Sequence, residues 1–282
     1  MKPDLFPDIG RLRKAIGRET TAVDILTPQQ CSALCATLNG PDTDFSHGDV
    51  APTSIHWCLG YPTPPTEALG QDGHPKRGDF LPAVPLPRRM WAGGRLKFHK
   101  DILVGDTVTR QSRVENVALK AGHSGDLCFV TVSHDIQTQR GLCIEEEQQI
   151  VYCKPQTHNR EKKPTPTRAA ENSRSIMANP TLLFRYSALT FNGHRIHYDR
   201  DYAINEEGYP GLVVQGPLQA TFLVTLAAEL HGSPKIFNFR SSAPLFDGAA
   251  FTVNAGPKEG GDLDLWVAND SGQRTMNAVA TW

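Results

Sequence analysis

Residues 216–232 read GPLQATFLVTLAAELHG, and from Leu218 to Leu230 apolar side chains occur nearly all round a helix: Leu218, Ala220, Phe222, Leu223, Val224, Leu226, Ala227, Ala228 and Leu230. Proline suits a first helical position because its missing N–H would be unpaired there in any case, so Pro217 opens the helix with Gly216 as its N-cap. Gly232 ends it. A helix laid on a surface keeps one polar face, and a helix with no such face is buried. The rest of the chain must therefore supply a sheet that wraps this segment.

The sequence contains such strands, twice over. In the first part, the helix TPQQCSALCATLN, with Thr27 as N-cap and Gly40 as stop, and the short apolar segment PTSIHWCLGY precede four strand-like runs: MWAGGRLKFHK, DTVTRQSRVENVALK, GDLCFVTVSHDIQTQ and GLCIEEEQQIVYCK. In the third run Leu127, Phe129, Thr131 and Ser133 alternate with Cys128, Val130 and Val132, the period of an antiparallel strand with two unlike faces. The second part repeats the order with LLFRYSALT, the loop NGHRIHYDRDYA, the buried helix, and then KIFNFRSSAPLF, AAFTVNAGP, GDLDLWVANDSG and QRTMNAVATW. Short similarities fall in matching places: SGDLCFVTV with GGDLDLWVA, and RLKFHKDILVGD with KIFNFRSSAPLFD. Between the two parts lies KPQTHNREKKPTPTRAAENSRS, which has no large apolar side chain and reads as a linker. The expected organisation is a unit over 1–153, a polar linker over 154–175 and a second unit over 176–282, a tandem duplication of one helix-plus-sheet element.

Charge narrows the partners. With 29 Lys+Arg against 30 Asp+Glu, no overall field draws nucleic acid or anionic lipid. No window reaches the roughly 18 apolar residues of a membrane span, and the first residues lack an apolar stretch of signal-peptide length. The six cysteines, Cys31, Cys35, Cys58, Cys128, Cys143 and Cys153, match neither zinc pairs nor a disulfide framework. These features predict a cytoplasmic soluble protein with buried thiols. There is no GxSxG elbow, Walker loop or HExxH. The polar stretches DFSHGD and HDIQTQRGLCIEEE have generic spacing, so no metal and no redox cofactor is expected.

The segment FRYSALTFNGHRIHYDRDYA closely resembles the active-site segment of MaoC-like, hydratase-2 type acyl-CoA hydratases, whose motif is roughly SGDxNPIHxD. The motif's histidine falls on His197, its following aspartate on Asp199, and its catalytic aspartate on Asn192, a departure from the common pattern. GDFLPAVPLPRRMWAGGRL is similar to the first half of double hot-dog dehydratases typified by the bacterial hydratases of 3-methylfumaryl-CoA and itaconyl-CoA, and the asparagine variant fits that subfamily. The resemblance runs from about Pro52 to the end. It implies an α+β double hot-dog fold, two helix-plus-antiparallel-sheet units forming one continuous sheet around central helices. It implies an enoyl-CoA hydratase, a hydro-lyase giving citramalyl-CoA, with coenzyme A present only as part of the substrate.

Hydration of a conjugated thioester needs a base for water, a proton donor at the α-carbon and a holder for the charge that develops on the thioester oxygen. Histidine serves as base and then acid near neutral pH, which gives His197 the proton transfer. Asparagine exchanges no proton there, so Asn192 orients water or substrate; it is also ordinary turn chemistry before glycine. Either His197 acts alone, or a substrate carboxylate or another side chain assists. The resemblance places the oxyanion on the N–H of Gly216, where the helix dipole favours negative charge. Arg195 and His194 are substrate-binding candidates, and Arg88 and Arg89 candidates for coenzyme or substrate anions; each arginine has an equal reading as a solvated side chain. The first unit, without an NGHRIHYD-like loop, is expected to be non-catalytic and to make room for the acyl group. A fatty-acid type 3-hydroxyacyl-thioester dehydratase and a non-catalytic acyl-CoA-binding hot-dog protein are the alternatives. A monomer or a homodimer is expected.

Overall fold

The alternation along 127–136 becomes strand geometry in the computed structural model of the protein, which describes residues 9–122, 125–154 and 170–282. Cys128, Val130, Val132, His134 and Ile136 face inward and are buried, while Leu127, Phe129, Thr131 and Ser133 are not. Ten strands follow in chain order: β1 (Glu19–Ile25), β2 (Arg88–Phe98), β3 (Thr107–Gly122), β4 (Gly125–Thr138), β5 (Gly141–Cys153), β6 (Asn172–Met177), β7 (Ile236–Ser241), β8 (Ala250–Pro257), β9 (Leu263–Ala268) and β10 (Arg274–Thr281). They form one antiparallel sheet in the order β1-β3-β4-β5-β2-β7-β10-β9-β8-β6.

That order reads the same from either edge if each strand of the first unit is matched to its counterpart in the second. The join is β2 against β7, with Gly94 opposite Phe239 and Leu96 opposite Phe237. The two faint similarities land on equivalent strands, β4 with β9 and β2 with β7. This is the double hot-dog arrangement, α+β with one continuous sheet.

The helices are α1 (Ile9–Arg13), α2 (Pro28–Thr37), α3 (Pro180–Leu189) and α4 (Gly216–His231). Thr27 caps α2 through a capping box with Gln30, as its spacing predicts. In α4 the start shifts by one residue: Gln215 is the N-cap and Gly216 the first helical residue. Gln215 takes this position because its fully buried side chain is tied to Leu183 O and Ser187 Oγ. The apolar girth of α4 packs on β7 to β10 and on β2. Leu218, Leu223, Val224 and Ala227 are fully buried.

The first unit has no counterpart of α4. Between α2 and β2 its chain makes only single-turn 3-10 helices at Ile55–Cys58 and Thr66–Ala68, so the sheet wraps one long central helix. Of the polar tract, 155–169 lie outside the described residues. Its last positions are not linker, because Asn172–Ser175 belong to β6, paired to β8. An edge strand with one neighbour and exposed side chains shows no apolar pattern in sequence, which is why β1 and β6 are invisible there. All six cysteines are free, and all but half-buried Cys35 are buried. Among the described residues no helix is long and apolar enough to cross a membrane.

Candidate active site

The loop after α3 is built to hold two imidazoles rigidly. Phe191 adopts a left-handed conformation (φ 48°), Asn192 N–H bonds Ser187 O at 2.8 Å, and Asn192 Oδ1 accepts from His194 N–H at 3.1 Å. The oxygen of Asn192 thus closes a turn, and its amide nitrogen is the group left for water or substrate. His197 lies on a 3-10 turn and donates from Nδ1 to Val213 O at 2.7 Å. That bond places the proton on Nδ1 and leaves the Nε2 lone pair as the basic atom. Burial lowers its pKa to about 4, so the ring is neutral at pH 7. Val213 precedes Gly216 by three residues, so one short segment ties the His197 ring to the helix start.

At that start the first-turn amides have no intrahelical acceptor. Pro217 carries no N–H, so Gly216 supplies one. Trp91 of β2 lies directly over it: a Cβ on Gly216 would sit 3.1 Å from Trp91 Cε3. Glycine here permits the close approach of the first unit's wall to the helix terminus.

The first unit also enters the site through Asp72 and His74, which the sequence reading does not name. In GQDGHP the chain turns tightly, with Gly73 N–H to Gly70 O and Gly70 N–H to His74 O. This turn meets the loop of Asn192 to His197 backbone to backbone. A Cβ on Gly73 (φ +83°) would fall 1.9 Å from Gly193 O, and one on Gly193 2.7 Å from Gly73 O. Arg195 N–H bonds Asp72 O at 2.9 Å, and its guanidinium bonds Gln71 O at 3.1 Å. The result brings the His74 ring to 4.1 Å from His194, itself 5.3 Å from His197. Asp72 Oδ2 lies 3.4 Å from His74 Nδ1.

Burial lowers His74 to about 4 against the opposing bond to Asp72, and holds His194 well below its ordinary value. Burial alone would raise Asp72, but its bonds with His74 and the charge of Arg89 keep it ionised, at about 2. Three neutral imidazoles and one carboxylate therefore share the pocket. Asp72, His74 and His194 each offer a ligand atom, all within 4.8 Å of one another, a spacing that could also hold a cation. A carboxylate and an imidazole two residues apart in the glycine-rich turn GQDGHP are the signal that sequence reading could have used.

The arginines divide. Arg195 does not reach the cavity, because its guanidinium is engaged by Asp199 at 2.7 Å, by Gln71 O and by the Tyr202 ring. It braces the two loops, which corrects the substrate-binding reading. Asp199 is correspondingly its ion-pair partner. Arg88 borders the cavity too, but it is buried and its guanidinium is held by Glu207 and the Tyr209 ring. Arg89 borders the cavity close enough to His74 and His194 to bias their protonation.

One open cavity of about 3040 Å³ runs from Asn192, His194, His197 and Gly216 past Trp91 and Trp57 to Arg110 and His134. An ordinary small-molecule site measures roughly 300–1,000 Å³, so this one has room for a thioester with a long carrier. Trp57 and Trp91 border it, 5.9 Å apart, and the buried Phe239 backs Trp91 at 4.6 Å.

Residues 54–247 match the family model of hydroxyacyl-thioester dehydratase type 2. The chain is 43% identical over 267 residues to mesaconyl-C(4)-CoA hydratase of Chloroflexus aurantiacus, covering 94% of this chain and 95% of that protein. It is 27% identical to the mitochondrial hydroxyacyl-thioester dehydratase type 2 of Schizosaccharomyces pombe, over 75% of this chain and 78% of that one. In solved structures, a MaoC-like dehydratase from Phytophthora capsici superposes with a TM-score of 0.69 at 13% identity, over 98% and 99% of the two chains. A Mycobacterium tuberculosis protein described as a double hotdog fold does so at 0.59 and 12%, over 94% and 95%. With the family model spanning most of the chain and that level of identity to a full-length relative, the chain belongs to the hydroxyacyl-thioester dehydratase type 2 family.

Proposed function

We propose that this acyl-thioester hydratase adds water, reversibly, to a short branched dicarboxylic enoyl-CoA, 3-methylfumaryl-CoA or itaconyl-CoA, giving citramalyl-CoA. The observation that carries the reading is His197, neutral, with Nε2 unblocked, anchored on Val213 three residues before the Gly216 amide at the helix terminus. Mesaconate is methylfumarate, so the similarity to mesaconyl-C(4)-CoA hydratase supports the same substrate class.

His197 Nε2 takes one proton from water as the oxygen bonds the β-carbon. The double-bond electrons move to the thioester oxygen, held by the Gly216 N–H and the helix dipole. The enolate then collapses, its α-carbon takes a proton, and the imidazolium gives up the one it holds. An imidazolium among neutral rings and beside Arg89 needs a negative charge nearby. Asp72 provides it, and through His74 offers the proton a second station, the part an aspartate would play at position 192. Asn192 fixes the loop and presents its amide. Arg89 meets the anionic part of the coenzyme.

A second reading, dehydration of a fatty-acid type 3-hydroxyacyl thioester, draws on the family model and the fission-yeast relative. A long straight tail calls for an apolar tunnel, whereas the cavity's far wall carries Arg110, Ser112 and His134. A third, acyl-CoA binding without turnover, is separated from both by assay. Wild type should consume the conjugated-thioester absorbance of 3-methylfumaryl-CoA, and His197→Ala should lower kcat/KM by about 10³-fold at unchanged thermal stability. Binding without turnover by wild type would leave only the carrier reading, and full activity in His197→Ala would displace the base.

A further inference from the structure

Among the described residues no long helix covers the inner face of β3, β4 and β5: α1 packs only over its Val114 and Val117 end, and between the two apolar ends the middle of the face is polar. Arg110 and Ser112 on β3, His134 on β4, and Glu146 and Gln148 on β5 form one polar layer across the three strands, with Ser112 opposite His134 and His134 opposite Glu146. All but Glu146 border the cavity that contains His197.

Hydrogen bonding fixes what this layer presents. Glu146 is already satisfied: Oε1 accepts from Trp57 Nε1 at 2.8 Å and Gln148 Nε2 at 2.7 Å, and Oε2 faces Arg110 at 3.5 Å. Arg110 Nε, which can only donate, lies 3.4 Å from His134 Nδ1, and Ser112 Oγ lies 2.7 Å from the same nitrogen. Nδ1 is therefore the acceptor, and the hydrogen of this ring is on Nε2. That N–H is buried with no partner, although His134 is over nine-tenths buried. A buried donor left without an acceptor is costly unless something meets it. Arg110 has five donors and makes two contacts, both long.

The layer is also coupled to the catalytic loop. Gly60 rests on the Arg110 stem, where a Cβ would stand 3.1 Å from Arg110 Cβ. The next residue, Tyr61, stacks on Phe191 at 5.2 Å and 13°, immediately before Asn192.

We propose that Arg110 and the Nε2–H of His134 form an acyl-end subsite that binds the free carboxylate of the substrate, beyond the double bond from the thioester. Guanidinium and imidazole N–H are both donors, matched to a planar anion. Glu146, with its lone pairs taken by Trp57 and Gln148, acts as the fixed counter-charge that aims Arg110. The inference rests on the hydratase reading above and names the part of the substrate that the first unit recognises.

The test compares kcat/KM for 3-methylfumaryl-CoA with that for crotonyl-CoA, which lacks the carboxylate, in wild type, Arg110→Met/Glu146→Gln and His134→Leu, with folding followed by thermal melting. The double change avoids stranding a buried carboxylate, and His134→Leu leaves the ion pair intact, so either folded variant decides. The ratio should fall roughly 10- to 100-fold in the double variant and less in His134→Leu, as expected for loss of hydrogen bonds to a charged group. A ratio equal to wild type in the folded variants overturns the subsite. So does a ratio that collapses in Arg89→Met instead, which would move the carboxylate beside the catalytic histidines. Because Arg89 contacts the coenzyme, Arg89→Met should raise KM for both thioesters alike. No turnover of either thioester by wild type counts against the hydratase reading itself.

Discussion

The two halves of the sheet are the same template under different cover. In the second unit the inner face consists of Phe251, Val253 and Ala255 on β8, Leu265 and Val267 on β9, and Met276, Ala278 and Ala280 on β10, all in one core with α4. In the first unit the equivalent strands carry Arg110, Ser112, His134, Glu146 and Gln148 in mid-sheet, and apolar packing divides between Val108, Ile136 and Ile144, which join the main core, and a smaller cluster around Val114, Val117, Val130 and Tyr152. A sheet face covered by a helix has no water or ligand to pair a polar group, so only apolar side chains are tolerated. Where the helix is missing, the face borders a cavity and charged groups persist because they meet one another. The duplicated fold thus separates its labours, with one half supplying the helix terminus and its partner the space.

The contrast can be broken most forcefully at its covered side. Leu223→Ala, under a face with no room to collapse, should destabilise by about 2–5 kcal/mol, read as a loss of midpoint in chemical denaturation. Next comes the turn that the first unit inserts into the site. His74→Gln should lower kcat by about 10²-fold with little change in KM and slow exchange of the substrate α-proton with solvent; an effect on KM alone would reduce His74 to a wall of the pocket.

Acid should then expose both halves together. Burial first, then Arg110, lowers His134 to about 3, and burial lowers His56 and His197 to about 4. Each is neutral when folded and takes up a proton on unfolding once the pH drops below about 6.5. The unfolded state therefore binds more protons between about 6.5 and 3–4, and stability declines as pH falls through that window by about 1.4 kcal/mol per pH unit for each such ring. Above 6.5 these rings contribute no slope. Melting from pH 8 to 4 checks this, and a flat profile below 6 would mean that the rings are hydrated in solution.

A smaller effect sharpens the comparison. His134→Leu should change stability by less than about 1 kcal/mol in either direction, because replacing a buried polar group in a network by an apolar one of similar size is often neutral; a larger loss would make the polar layer a structural device. Smallest of all, dialysis against EDTA should leave activity unchanged, since the Asp72, His74 and His194 group is assigned to proton handling. Loss of activity restored by a divalent cation would reassign it.

Much of the architecture could be read from the chain because its signals are local. The girth of Leu218 to Leu230, the alternation of β4 and the Thr27 cap each concern neighbours in sequence, and the faint repeats fell on equivalent strands. The edge strands could not be read, since Val23 and Ile25 on β1 are exposed and Asn172–Met177 is polar. The NGHRIHYD loop likewise marked His197 and Asn192, dense polar chemistry beside an apolar helix. What it could not show was which polar groups would find each other.

The sequence by itself determined that a helix must be wrapped, that a duplicated sheet would wrap it, and that a histidine loop would stand at the helix start. Tertiary structure alone decided that Arg195 and Arg88 are consumed by Asp199 and Glu207, that Asp72 and His74 arrive from the other unit, and that Arg110 and His134 share one cavity wall with Glu146 behind them. The reason is range. Helix caps, periodicity and turns are set within a few residues, whereas the partner of a charge is set by whichever strand or loop the closed sheet lays beside it, 36 residues away for Arg110 and Glu146 and 124 for Arg195 and Gln71.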